Sequence, residues 1–119
     1  MRLWLLAGLL LSACATGPSP RPLPKGITFA GTWDSTWGRM VLRQEGKHVH
    51  GTFNGYREGG VSGDLDGDVF RFVWDQRSPR SHGRGYMQIS PDGAHLEGRW
   101  GYLKNDDEGG RWAADKDSD

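Results

Sequence analysis

The sequence predicts an all-β protein, a small antiparallel up-and-down barrel of about eight strands. Glycine is dense, with 19 residues in a chain of 119, and glycine and proline leave no window in which a helix would be stable. Apolar and polar residues alternate, and turn signals interrupt the alternation about every 8–12 residues. Because all the connections are short, consecutive strands are expected to pair around a closed barrel, which leaves no strand edge exposed.

The barrel domain is predicted to span residues 26–114. Its eight predicted strands are Thr28–Trp33, Gly38–Gln44, His48–Asn54, Gly59–Asp64, Asp68–Asp75, Gly83–Ser90, His95–Trp100 and Gly109–Ala114. Glu45-Gly46 and Asp66-Gly67 are typical of two-residue hairpin turns, because glycine tolerates a positive φ. Pro91-Asp92-Gly93 is typical of a turn that begins at the fixed φ of proline.

Alternation along each strand predicts which side chains point into the barrel. The strongest stripe is Phe70, Phe72 and Trp74, with Arg71 on the opposite, wet face. The other residues expected inside are Met40, Leu42, Val49, Gly51, Phe53, Val61, Gly63, Leu65, Met87, Ile89, Leu96, Gly98 and Trp100. Those expected outside include Arg43, His48, His50, Gln88, Glu97 and Arg99. A barrel of this size either fills its interior with side chains or holds one small ligand.

Residues 1–13 have the three parts of an export signal. Arg2 supplies the positive charge, the run from Leu3 to Leu11 is apolar, and Ser12 and Ala13 are the small residues before a cleavage site. The apolar run is too short to cross a bilayer, which takes about 20 residues. The segment is therefore expected to direct export and then to be removed.

Leu11-Ser12-Ala13-Cys14 resembles a bacterial lipobox, and Cys14 is the only cysteine. The resemblance implies cleavage before Cys14, a diacylglycerol thioether on its sulfur and an acylated amino group. Two or more acyl chains anchor a protein stably. It also implies that the protein is located in the cell envelope. Because Ala15 rather than aspartate follows the cysteine, the resemblance implies the outer membrane, with the barrel facing the periplasm. The alternative is an ordinary secretory signal with a coincidental cysteine.

Residues 14–25 are predicted to be the lipidated cysteine and a proline-rich linker. The linker contains Pro18, Pro20, Pro22 and Pro24, four of the 6 prolines in the chain. Alternating proline favours extended polyproline II, a spacer of about 3.1 Å per residue that would hold the barrel roughly 30 Å from the lipid. A disordered tether is the alternative. Residues 115–119 are a short charged tail.

The charge of the chain excludes some classes of partner. Lys and Arg number 15, Asp and Glu also number 15, and the formal net charge is +0. A nucleic-acid-binding protein would carry a basic stripe, and a protein held on membranes by electrostatics alone would carry excess positive charge. We therefore expect no nucleic acid as partner, and membrane association through the lipid anchor.

A glycine-x-aromatic signature occurs four times, in Gly31-Thr32-Trp33, Gly51-Thr52-Phe53, Gly98-Arg99-Trp100 and Gly110-Arg111-Trp112. Glycine and ring share one face of a strand, so the glycine leaves room for a neighbouring ring or a bend. Two interpretations are open: aromatic packing that closes the barrel, or an aromatic-lined binding cavity.

These motifs are similar to those of avidin and streptavidin, and more loosely to other small calycin barrels. Gly31-Thr32-Trp33 with Gly38 resembles the first avidin hairpin, and Val49-His50-Gly51-Thr52-Phe53 resembles the strand that follows. Phe72-Val73-Trp74 and Arg99-Trp100 resemble the strands that carry two biotin-contacting tryptophans. The resemblance implies a ligand site in the barrel, with Trp33, Phe53, Trp74 and Trp100 as its candidate residues.

The chain departs from the avidin pattern at polar positions. Ser35 and Arg39 stand where avidins place an asparagine and a serine, and Phe53 stands where they place a tyrosine hydroxyl. A site built on hydrogen bonds loses most of its affinity when those groups are missing. We therefore expect no avidin-like affinity for biotin.

No constellation in the sequence predicts catalysis, a metal or a cofactor. His48 and His50 share a strand face without a third ligand, and Asp64, Asp66 and Asp68 lack the glutamate that ends a calcium loop. The neighbours Ser81 and His82 point apart on a strand. The loop from Arg77 to Arg84 is basic, and Arg77, Arg80 and Arg84 are candidates for contact with an anionic glycan, a phosphate head group or an acidic partner; a solvated loop is the alternative.

The sequence thus favours a non-catalytic, membrane-anchored lipoprotein whose barrel serves envelope structure or recognition. The alternative is a carrier of a small apolar or aromatic ligand inside the barrel. A hydrolase is a third class, since an active site can assemble from residues distant in sequence.

Overall fold

The computed structural model describes residues 17–55 and 57–117, which form a closed barrel of eight antiparallel strands. The strands are β1 (Gly31–Ser35), β2 (Gly38–Glu45), β3 (His48–Asn54), β4 (Glu58–Asp66), β5 (Val69–Gln76), β6 (Ser81–Ile89), β7 (His95–Tyr102) and β8 (Gly110–Lys116). Each pairs with the next, and β8 pairs with β1. The predicted fold class is confirmed. The predicted signal and Cys14 lie outside the described residues.

Strand boundaries differ from the predicted ones by up to three residues, and the largest difference is at the start of β1. β1 begins at Gly31 and not at Thr28, because the Gln44 side chain takes the place of a strand partner. Its Oε1 accepts hydrogen bonds from Thr28 Oγ1 and from the backbone N–H of Phe29, at 3.1 and 2.9 Å. β6 begins at Ser81, so half of the predicted basic loop lies on a strand. Among the described residues, no helix is long and apolar enough to cross a membrane.

The predicted division into inner and outer faces is confirmed. Phe70, Phe72 and Trp74 are buried, whereas Arg71 between them is partly exposed. The other large apolar residues predicted inside are buried too, except Leu65, which is partly buried and packs on the core. The two-residue hairpins are also present, with positive φ at Gly46 (64°) and Gly67 (59°). Strict alternation over short strands is therefore enough to set the register of this barrel.

The two ends of the barrel differ. At the closed end lie the turns that join β2 to β3, β4 to β5 and β6 to β7, and the fully buried Phe29 enters the core just before β1. Leu23 and Ile27 pack against the same core. At the other end, here called the mouth, lie the connections from β1 to β2, β3 to β4, β5 to β6 and β7 to β8.

Residues 17–23, here called the strap, lie against the barrel. The backbone N–H of Arg21 donates to Asp68 Oδ1 at 2.9 Å, and the N–H of Asp68 donates to the Arg21 carbonyl at 2.8 Å. A free spacer was expected for residues 14–25. The part of it that the structure describes is instead held on the barrel surface, so the predicted distance of roughly 30 Å from the lipid does not apply to residues 17–23.

Candidate functional site

An aromatic cavity of about 310 Å³ lies in the mouth of the barrel. Six of its lining side chains are aromatic, and they come from five elements of the fold. The described lining residues are Trp37, Phe53, Arg57, Trp74, Gln76, Pro79, Arg80, Ser81, Trp100, Tyr102 and Trp112. A concave, mostly apolar site with a few polar groups is typical of small-molecule binding, and this volume is at the small end of the usual range.

Strand geometry brings these rings together. Phe53, Trp74, Trp100 and Trp112 belong to the inward faces of β3, β5, β7 and β8. Trp100 is the centre of the group, with its ring centroid 5.6 Å from that of Trp74 and 5.3 Å from that of Trp37, both edge to face. Phe53 meets Trp112 in the same way at 5.3 Å. Edge-to-face contact stabilises aromatic pairs beyond the contribution of the area they bury. Phe53, Trp74, Trp100 and Trp112, here called the wall, are therefore held in place in part by their contacts with other rings.

Glycines next to the rings make the wall possible. A Cβ at Gly59 would lie 2.3 Å from the Phe53 ring, and a Cβ at Gly109 would lie 2.4 Å from the Trp100 ring. No side chain other than hydrogen fits at either position without moving a ring.

The indole N–H groups of the wall are not all satisfied. Trp74 Nε1 donates to the Gly101 carbonyl at 3.0 Å. Trp100 Nε1 and Trp112 Nε1 are buried and have no hydrogen-bond partner among the described residues. These two residues are only 8% and 2% exposed. A buried donor without an acceptor costs about 1–3 kcal/mol, and because neither nitrogen has accessible surface, a ligand in the cavity would reach them only if the rings moved.

The rim of the cavity is positively charged. Arg57 and Arg80 line it, and none of the described lining residues is acidic. Arg57 Nη1 donates to the Ser78 carbonyl at 2.8 Å, which holds the β5–β6 connection over the mouth. Outside the lining, Arg77 Nη1 pairs with Glu58 Oε1 at 3.7 Å. A ligand with a negative group would therefore meet cations and no described acid at the rim.

The structure brings together three of the four residues predicted from the avidin resemblance. Phe53, Trp74 and Trp100 line the cavity. Trp33 lies elsewhere: it is fully buried, and its Nε1 donates to the Phe29 carbonyl at 2.9 Å. Trp112 was not among the predicted residues, although the Gly110-Arg111-Trp112 signature marked its position. Trp37 was missed as well, because it lies in the β1–β2 connection, where alternation gives no signal.

The three arginines predicted to contact an anion lie in different places. Arg80 is at the cavity rim, and Arg77 pairs with Glu58 just outside it. Arg84 is on the outer face of β6, in a wide depression that Val73, Leu103 and Lys104 also line. They do not form a single site.

The other polar residues considered in the sequence lie on the outside of the barrel or at its turns. His48 and His50 stack with their ring centroids 5.6 Å apart, and His48 Nδ1 lies 3.2 Å from Asp64 Oδ1. Asp68 is buried and binds the strap. Among the described residues, no group of three or more His, Cys, Asp or Glu side chains is placed to hold a metal ion.

No family model, no curated protein and no solved structure matched this chain. The similarity to avidin-type barrels and the lipobox therefore remain predictions from the motifs quoted above.

Proposed function

We propose that this protein is a lipid-anchored, non-catalytic binding protein that holds a small aromatic or otherwise apolar ligand in the mouth of its barrel. The observation that carries the proposal is the cavity of about 310 Å³ walled by Phe53, Trp74, Trp100 and Trp112. Burying apolar area in such a cavity contributes about 25 cal/mol per Å², before the costs of association.

The polar groups of the cavity support a particular kind of ligand. A negative group on the ligand would suit Arg80, which forms no ion pair with a described residue. The favoured ligand is therefore a small ring compound with an acidic substituent.

Biotin is expected to bind weakly or not at all. Ser35, one of the positions where avidins place a polar biotin contact, is used within the β1–β2 turn: its Oγ donates to the Gly38 carbonyl at 2.6 Å and accepts from the Trp37 N–H at 3.1 Å. Arg39 reaches Asp117 at 3.5 Å, and Phe53 offers no hydroxyl. A buried ureido group would thus lack its partners, each of which is worth about 1–3 kcal/mol.

A non-catalytic role is supported by the directions of the side chains at the mouth. Ser81 lines the cavity and His82 lines the outer depression, and both also border a further depression at the mouth. A serine nucleophile needs a base within hydrogen-bond reach. Because neighbouring residues on a strand point to opposite faces, the Ser81 hydroxyl and the His82 imidazole are directed apart.

The anchor part of the proposal is tested at Cys14. Serine offers no thiolate for a thioether, so Cys14→Ser should abolish incorporation of a labelled fatty acid, whereas the native chain should be labelled. Equal labelling of both chains would refute the anchor. Fractionation of the source cells should place the native protein in the outer membrane if there is one, and a protein confined to the inner membrane would contradict that expectation.

The ligand part is tested on the full chain extracted from its own cells. Native mass spectrometry should show a retained small molecule, and a panel of aromatic acids and matched neutral compounds should change the tryptophan fluorescence, with the acids binding more tightly. Ser81→Phe places a ring in the cavity and should abolish the response. Ser62→Phe places the same ring on the outer face of β4 and serves as the control.

Loss of the response in both phenylalanine variants, or a nanomolar response to biotin, would contradict this account. If the native protein carries nothing and no compound responds, the barrel serves envelope structure or recognition through its outer surface. Arg77 and Arg84 would then be the first residues to test.

A further inference from the structure

We propose that the strap fixes the orientation of the barrel on the membrane, with the outer face of β6 and the mouth turned toward an anionic lipid surface. The proposal rests on the proposed lipidation of Cys14. It concerns a different part of the molecule from the ligand cavity, and its argument begins at the described end of the chain.

The strap is bound at its closed-end side by Asp68, the one charged residue that is buried among the described residues, at 3% exposure. Its carboxylate accepts from the Arg21 N–H at 2.9 Å and from Gln88 Nε2 at 3.0 Å. Arg21 Nε lies 3.5 Å from its other oxygen. The neighbouring Gly67 has its backbone against the strap, since a Cβ there would lie 2.4 Å from the Arg21 carbonyl oxygen. A buried carboxylate with these partners holds the strap at a defined position.

From Arg21 toward the N-terminus, the strap follows β6 in the direction of the mouth. Gln88 Nε2 donates to the Ser19 carbonyl at 3.4 Å, and the backbone of Gly17 packs on Tyr86, where an added Cβ would lie 2.9 Å from the ring. Tyr86 belongs to the outer face, because the fully buried Met87 next to it faces inward, yet Tyr86 is only 7% exposed. The strap covers it, and the burial raises the pKa of its hydroxyl.

The proposed lipid anchor, Cys14, must lie close to the point where Gly17 packs on Tyr86. Three peptide units separate Gly17 from Cys14, which limits their distance to about 11 Å. The next outward residue of β6 beyond Tyr86 is Arg84, about 7 Å further toward the mouth. A lipid on Cys14 would therefore hold the membrane within reach of this side of the barrel.

The surface at that place suits a lipid head-group region. Val73 and Leu103 are large apolar side chains that are 54% and 65% exposed, and they share an outer depression with Arg84 and Lys104. Leu103 has a φ of 57°, a conformation that glycine or asparagine adopts more easily than leucine, so backbone preference does not explain a leucine at this turn.

The cations of this surface are available to phosphates. Arg84 and Lys104 form no ion pair with a described residue. The acid that lines the same depression, Asp75, accepts a hydrogen bond from the Gly60 N–H at 3.1 Å. Arg84 also borders a second depression, which Asp64, Asp66 and Asp106 line. Apolar side chains between unpaired cations are typical of surfaces that rest on anionic lipids. In this orientation the ligand cavity would open beside the membrane.

The test uses the full lipoprotein, purified from cells and reconstituted in vesicles of equimolar phosphatidylcholine and phosphatidylglycerol that contain a head-group-labelled nitroxide lipid. A fluorophore is attached through Leu103→Cys in one sample and through Lys47→Cys, at the closed end, in the other. The nitroxide should quench the fluorophore at position 103 several-fold more strongly. Replacement of Arg84 and Lys104 by glutamate should reduce the difference, whereas the same charge change at Lys25 and Arg43 should not.

The intact mass of each sample separates the two proposals. A sample without acyl groups refutes the anchor, and the orientation with it. An acylated sample in which both positions are quenched equally, or in which both pairs of glutamate substitutions have the same effect, refutes the orientation alone. Ligand binding in the cavity is measured independently and is unaffected by either result.

Discussion

The two ends of the barrel use the same kind of residue in opposite ways. At the closed end, Trp33 is fully buried and its indole N–H is satisfied by the Phe29 carbonyl at 2.9 Å. At the mouth, Trp112 is nearly as buried, and its indole N–H has no partner among the described residues. The Trp100 N–H is in the same state. Burial alone therefore does not distinguish Trp33 from Trp100 and Trp112, whereas hydrogen bonding does; Trp74, in the same cavity, is satisfied by the Gly101 carbonyl.

This difference indicates that the two ends of the domain have different roles, one in stability and the other in binding. The closed end is completed by residues that precede β1, with Phe29 in the core and Leu23 and Ile27 packed against it. No equivalent segment of the described chain fills the mouth, where the cavity remains. We infer that the closed end contributes most of the stability, and that the mouth bears the energetic cost of two unpartnered indole N–H groups.

The largest expected effect on stability comes from truncating Phe29, which fills the core at the closed end. Phe29→Ala should lower the free energy of unfolding by about 3–5 kcal/mol, because it leaves a cavity in a fully packed region. Tyr102→Ala, at the mouth, should cost less than about 1 kcal/mol, since this side chain is 54% exposed. Urea denaturation followed by tryptophan fluorescence compares the two. Equal losses would show that the two ends are equally important for stability.

A smaller effect isolates the indole N–H itself. Trp33→Phe removes a satisfied donor and leaves the Phe29 carbonyl unpaired, whereas Trp112→Phe removes a donor that had no partner. Both substitutions lose similar ring volume at similarly buried positions, so the difference between them reports the hydrogen bond. We expect Trp33→Phe to be more destabilising by about 1–3 kcal/mol. The comparison fails if Trp112→Phe is the more damaging, because its N–H would then have an acceptor.

The fold could be predicted from the sequence because its information is local. Stripes such as Phe70, Phe72 and Trp74 set the inner face of a strand by simple alternation, and glycine marks the tight turns. Once each strand and each turn is set, closure of an up-and-down barrel follows. The boundary of β1 was less accurate, since Gln44, a side chain on another strand, takes over the hydrogen bonds of Thr28 and Phe29.

The candidate site was predicted only in part, because some of its residues are positioned by contacts between distant parts of the chain. Trp74 and Trp100 follow the strand pattern, but Trp37 reaches the cavity from a connection whose path depends on the rest of the barrel. The strap could not be foreseen either, because Arg21 and Asp68 are 47 residues apart and neither has a local signal for the other. Unsatisfied N–H groups are likewise a property of the packed structure.

The smallest expected effect is a pH dependence that arises on the closed-end half. His95, the first residue of β7, has Nδ1 2.6 Å from Asp115 Oδ1 and Nε2 3.4 Å from Glu97 Oε1. Hydrogen bonding to Asp115 is the main cause that raises the pKa of His95 above its ordinary 6.5. Arg111, which donates to Glu97 at 2.6 and 2.8 Å, is the main cause that lowers the pKa of Glu97 below its ordinary 4.5.

The pKa shifts of His95 and Glu97 affect stability at opposite ends of the pH range. A raised histidine pKa stabilises the folded state fully below the unfolded value, and this contribution is lost as the pH rises through the folded value. A lowered glutamate pKa stabilises it above the unfolded value, and this contribution is lost as the pH falls through the folded value. Stability should therefore be greatest between about pH 4.5 and 6.5. The change on either side should be below about 1 kcal/mol, because the groups are largely exposed.

Urea midpoints measured from acidic to alkaline pH, with single variants as controls, assign each side of this maximum. His95→Gln should flatten the alkaline side and Arg111→Gln the acidic side. His82→Gln, on the outer face of β6, should leave the profile unchanged, since His82 lines a solvent-facing depression and forms no ion pair with a described residue. If the loss of stability at alkaline pH persists in His95→Gln, the group that titrates lies outside the closed-end half. The pH dependence would then arise outside the closed-end half, which would contradict this part of the comparison between the two ends.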